Sequence, residues 1–192
     1  LPASDDPTLG RIGFRELGHT RWLAALPLWS GPAQLLAGAP HHAEAELRES
    51  YELLQAMGDR GLISPVAAFM AQALYEQGRY DEAEEFVDTS EACASRDDLF
   101  PHVVWRGVRA RILARDGNSD LATTLAHEAV ALADETDSPN LQGEACLSLA
   151  EVLRLRGDDE ASFEWVERAL ACFEAKGNVV SADAAQGLLA RA

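Results

Sequence analysis

The chain has 192 residues and sets 32 acidic against 16 basic side chains, a formal net charge of −16. That balance repels phosphate backbones and speaks against direct nucleic-acid binding, which rests on Lys and Arg, and no apolar run reaches the roughly 18 residues of a membrane span. Ala, Leu, Glu and Arg dominate while β-branched and aromatic residues are sparse, a composition that favours helix.

Residues 1–18 open with Leu1-Pro2-Ala3-Ser4-Asp5-Asp6-Pro7, without an initiating Met, a basic n-region or an apolar h-region, and carry Gly10, Gly13 and Gly18. They are expected to be a linker with at most a short turn, entered in mid-chain, so that the chain is a piece of something longer. A first helix is predicted near 19–37. Pro27 and Pro32 each remove a backbone donor there, and the segment is expected to kink or split near Ser30-Gly31-Pro32. Its partner runs near 41–57. Further pairs follow near 62–77 with 80–94, 101–116 with 119–135, and 141–156 with 159–175, and a last helix near 179–191 caps the repeat domain 19–192.

Between the helices of each pair stand Gly38, Gly78, Gly117 and Gly157, spaced by 40, 39 and 40 residues. A Gly after a periodic apolar run suits the left-handed residue that closes a helix. Five residues beyond each Gly stand Ala43, Ala83, Ala122 and Ser162, and twelve beyond stand Ser50, Ser90, Ala129 and Ala169. Seven residues is close to two helical turns, so both sets share one stripe on which small side chains let backbones approach. The first helices offer small residues in turn, Gly31, Ala71, Ala110 and Ala150, seven before the Gly, and Gln34, Leu74, Leu113 and Leu153 four before it. Helix pairs joined this tightly cannot hide their apolar faces alone, so an all-α stack of about four antiparallel pairs is expected.

Small residues at these offsets, with an aromatic as in Gly78-Arg79-Tyr80-Asp81-Glu82-Ala83, resemble the tetratricopeptide repeat from about residue 20 onward. The period departs from that family's usual 34 or so residues. Three strings, Trp105 to Arg115, Leu149-Ala150-Glu151-Val152-Leu153-Arg154-Leu155 and Lys176-Gly177-Asn178-Val179-Val180-Ser181-Ala182, are similar to the C-terminal repeats of large bacterial, often actinobacterial, signalling ATPases. Those proteins carry nucleotidyl-cyclase-like or DNA-binding N-terminal domains. The resemblance implies a right-handed superhelical α-solenoid whose first helices line a concave binding face. Carried over position by position, it offers Gln72, Tyr75, Arg111, Arg115, Glu144, Glu151 and Arg154 as protein-binding groove residues, with Tyr75 as the anchor.

Nothing in the sequence calls for catalysis. There is no Gly-rich phosphate loop, GxSxG or HExxH, and no cofactor is expected. Cys93, Cys146 and Cys172 are odd in number and lack CxxC spacing, which disfavours disulfides and zinc and fits core residues of a reducing, cytoplasmic protein. His19, His41, His42, His102 and His127 are scattered, with His41-His42 read as a solvated helix start. The carboxylate runs at Asp81–Glu85 and Asp158–Glu160 open helices, where the dipole favours negative charge. Trp22, Trp29, Trp105 and Trp165 fall on apolar stripes and are expected to pack in the core. Arg106, Arg109, Arg111 and Arg115 reverse the sign locally. They either meet an acidic peptide or another domain, or pair within the stack with acids such as Glu76, Glu144 or Glu151.

Two functions follow: a non-catalytic interaction scaffold for a protein, a peptide or other domains of its parent chain, or a small-ligand sensor controlling an upstream ATPase, cyclase or transcription-regulator domain. An enclosed apolar pocket near Trp105 or Tyr75 favours the sensor, whereas an open polar groove favours the scaffold. Oligomeric state is not readable.

Overall fold

The computed structural model describes residues 20–190, and among them the only regular secondary structure is helical. The expected linker 1–18 and His19 lie outside the described residues. The helices are α1 (Thr20–Ala25), α2 (Pro27–Leu36), α3 (Pro40–Met57), α4 (Arg60–Glu76), α5 (Tyr80–Cys93), α6 (Leu99–Arg115), α7 (Ser119–Asp134), α8 (Pro139–Arg156), α9 (Asp159–Lys176) and α10 (Val179–Leu189). No helix is long and apolar enough to cross a membrane among the described residues.

The first predicted helix is split, but at Leu26 instead of near Pro32. Pro27 has no N–H to give the Leu23 carbonyl, which instead takes the Leu26 N–H at 3.3 Å, and the chain restarts with Pro27 at the first position of α2. Pro32 lies inside α2 without ending it.

All four repeat glycines adopt positive φ, at 70°, 75°, 83° and 88° for Gly38, Gly78, Gly117 and Gly157. In each case the residue after the Gly donates its N–H back to the residue four before it: Ala39 to Gln34, Arg79 to Leu74, Asn118 to Leu113 and Asp158 to Leu153, at 2.9 to 3.0 Å. This is the Schellman closure of a helix. The side chains four before the Gly therefore sit where the chain folds back, and Leu74 and Leu153 are buried there.

The eight small residues after the glycines are all buried. At two of the three Ser positions the hydroxyl reaches backbone on another helix, Ser50 donating to the Ala24 carbonyl and Ser162 to the Ala150 carbonyl at 2.8 Å, while at the third the Ser90 carbonyl accepts from the Ser64 hydroxyl at 2.9 Å. Hydroxyl-to-carbonyl contact of this kind requires closely approaching helix axes, which bulkier side chains would prevent. Each helix from α2 to α9 packs against the next, and α2, α4, α6 and α8 also pack one on another in that order. The core advances with them. One apolar cluster runs from Ala24 to Ile112, a second from Val103 to Leu153, and a third from Cys146 to Ala185, with Leu125 bridging the first two and Trp165 the last two.

Replacing the fully buried Ala83 with Leu forces α5 off α4 and is expected to cost about 1–3 kcal/mol, measured as a lower midpoint in chemical denaturation. An unchanged midpoint would show that the stripe is not a packing seam.

Candidate functional site

The face on which α2, α4, α6 and α8 follow one another carries a trough of about 600 Å³, extended at one end by α10. Its walls are mainly apolar, from Leu28, Trp29, Leu35 and Leu36 on α2, Phe69 on α4, Phe100 and Val104 on α6, and Leu141 and Leu147 on α8. Polar groups are set among them: Gln72 and Glu76 on α4, Arg111 on α6, Ser138 just before α8, Asn140, Glu144 and Ser148 on α8, and Asn178 and Ser181 at α10. Such a trough is neither the enclosed apolar pocket nor the open polar groove named above. Gly107 permits the close passage of α8, since a Cβ there would stand 2.9 Å from the Ser148 hydroxyl oxygen.

Six of the seven expected groove residues lie on this face, in two groups. Gln72, Arg111 and Glu144 line the trough itself. Tyr75, Arg115 and Glu151 form a cluster next to it, joined through Arg111. The Tyr75 hydroxyl accepts from Arg115 Nε at 2.6 Å and donates to Glu151 Oε1 at 2.7 Å, while Arg115 also reaches that oxygen at 2.9 Å. Arg111 lies over the Tyr75 ring, 4.2 Å from its centroid, and pairs with Glu76 at 3.1 Å and Glu151 at 3.6 Å. Arg154, the seventh residue, is exposed on α8 and belongs to neither group.

All four arginines of the basic stretch make ion pairs within the fold. Arg109 meets Glu84 at 2.7 Å, Glu91 at 2.6 Å and also Asp88, all on α5, and Arg106 meets Glu128 at 3.4 Å. Arg106 and Arg109 also lie over the Trp105 ring, at 4.1 and 5.2 Å from its centroid. With Arg111 only 7 % exposed, reversing its charge would unbalance the packing before it tested a binding surface.

Two carboxylates on α8 have opposite environments. Burial pushes the Glu151 carboxyl up, but Arg111, the Tyr75 hydroxyl and Arg115 together outweigh this and hold it below the usual Glu value. Burial also pushes Glu144 up; Arg111 opposes the shift, Glu76 adds to it, and the net position is above the usual 4.5. Tyr75 is itself raised, by burial foremost, and so stays protonated as a donor.

Two of the four tryptophans depart from the expected core packing. Trp105 is buried and Trp165 half-buried, but Trp22 and Trp29 are 55 % and 65 % exposed. Trp29 forms part of the trough wall. Among the described residues no group of three or more His, Cys, Asp or Glu is placed to hold a metal ion. Cys146 is buried and its thiol is pushed up to about 12 by that burial, which makes it a poor nucleophile. Compared with known proteins, the sequence matches no family model and no curated protein.

Tyr75→Phe removes the hydroxyl between Arg115 and Glu151 and is expected to lower stability by about 1 kcal/mol, read by urea denaturation; an unaltered midpoint would mean that the two charges re-pair without cost. Glu144→Gln is expected to act in the other direction. A carboxyl whose pKa is raised by folding binds more protons in the native state, so stability falls as pH climbs from 4.5 through the folded value. The variant should melt higher than wild type well above pH 4.5 and match it below, and a variant melting lower at neutral pH would contradict the assigned environment.

Proposed function

We propose that the chain is a non-catalytic interaction module that takes a segment of another protein, or of another domain of its parent, into the trough as a concave binding face. The reading treats the serial packing of α2 to α10 as a right-handed superhelical stack of tetratricopeptide-like helix pairs capped by α10. On the same resemblance, the chain is the C-terminal part of a larger bacterial signalling or regulatory protein of the cytoplasm.

The observation that carries the reading is the composition of the trough. Its lining is drawn from five helices, and its walls are mainly apolar with polar groups set among them. Neighbouring helices lie about 8–10 Å apart, so a surface drawn from alternate elements of the stack offers successive anchor positions along a peptide. Side chains of the peptide would supply the apolar contact and the polar groups would set its register. Trp29 and Leu36 supply exposed apolar contact area at one end.

One observation favours the sensor as a second reading: a volume of about 600 Å³ falls within the range of small-molecule sites. The two readings separate on what binds. Peptides of random sequence selected on the immobilised chain are expected to lose about tenfold in affinity against Trp29→Ala and Leu36→Asp, measured by fluorescence polarisation. Equal affinities for both variants and wild type would place binding elsewhere and remove the support for a trough that holds peptides.

A further inference from the structure

Of the charged side chains that line the trough, Glu76 and Arg111 are paired with each other at 3.1 Å, and Arg111 also faces Glu151. Glu144 differs. Its backbone carbonyl takes the Ser148 hydroxyl at 3.1 Å, but its carboxylate has neither a hydrogen bond nor an ion pair among the described residues. The side chain is half-buried and stands among Leu141 and Ala145 on its own helix, with Gln72 and Phe69 also in the lining. The cation that acts on it, Arg111, is already held by two other carboxylates.

We propose that the trough recognises a peptide segment with one Lys or Arg set between apolar side chains, the cation meeting the Glu144 carboxylate and its neighbours covering the apolar walls. The inference rests on the trough being the peptide site. It follows from charge complementarity. An apolar segment laid over Glu144 would strip water from an unpaired carboxylate at a large cost, and an acidic segment would add repulsion from Glu76 as well. A segment that carries its own cation converts that cost into a charge-assisted hydrogen bond. The net charge of −16 acts in the same sense at longer range, drawing basic segments toward the face before contact.

The Glu144→Gln variant suits the test because it keeps the shape of the side chain and is expected to fold at least as well as wild type. Random twelve-residue peptides are selected by display on the whole chain, and the enriched sequences are synthesised. Each is made again with its basic residue replaced by norleucine. The expected result is enrichment of a single Lys or Arg flanked by Leu, Phe or Trp. Wild type should lose about tenfold or more in affinity on the norleucine change, and Glu144→Gln less than about twofold.

If Glu144→Gln shows the same tenfold loss, the preference reflects the general acidity of the chain and the proposal falls. If the enriched peptides lack a basic residue yet bind more weakly to Trp29→Ala, the trough reading stands and the cation does not. If nothing is enriched, or Trp29→Ala binds every peptide as wild type does, the trough reading fails and this inference goes with it.

Discussion

The rest of the structure depends on how closely paired helices can approach. Ala43, Ala83, Ala122 and Ala129 have no exposed surface at all, and Ser50 and Ser162 touch neighbouring backbone through their hydroxyls. Dispersion between close-set helices takes over much of what large side chains supply in other cores. Glycine carries the same constraint further on α8, where a Cβ on Gly143 would stand 2.5 Å from the fully buried Phe173 ring. The pairing seams leave the opposite faces of α2, α4, α6 and α8 to make the trough.

The arrangement of charge follows from that geometry. In a chain with twice as many acids as bases, the arginines of α6 are taken up internally: Arg109 by three carboxylates of α5, and Arg111 and Arg115 by Glu76 and Glu151. A cluster that looks in sequence like a basic docking patch thus serves as counter-charge within the fold. Arg111 pairs with Glu76 and Glu151, and Glu144 is left without an ion pair among the described residues. On α8 two carboxylates seven residues apart are therefore shifted in opposite directions, Glu151 below the usual Glu value and Glu144 above it.

Much of the helical layout was legible in the sequence because its determinants are local. A left-handed Gly and a small residue five places later act within a single turn and its first contact, and the helices at Gly78, Gly117 and Gly157 end close to where these signals put them. The split of the first helix was half legible: two prolines announced it, but which one breaks the chain depends on where the helix can restart. The trough was less legible, because exposure of Trp29 and Leu36 is a tertiary property that an apolar stripe does not reveal. A signal was nonetheless present. Nine residues before the turn Gly stand Trp29, Phe69, Val108 and Ser148, and six before stand Pro32, Gln72, Arg111 and Glu151, and all but Val108 and Glu151 are in the lining. Arg154 is three residues before its Gly, off both rows.

The hydrogen bond from Tyr75 to Glu151 joins α4 to α8 across a sequence gap of 76 residues, passing over the helix between them. Contacts between neighbours alone would let such a series flex like a bow, each joint adding a little to the total bend. A tie between alternate members acts as the bowstring. It holds the span between α4 and α8 at one length, so a segment bound as proposed would meet an opening whose gauge is already set and need not spend its own binding energy drawing the limbs together.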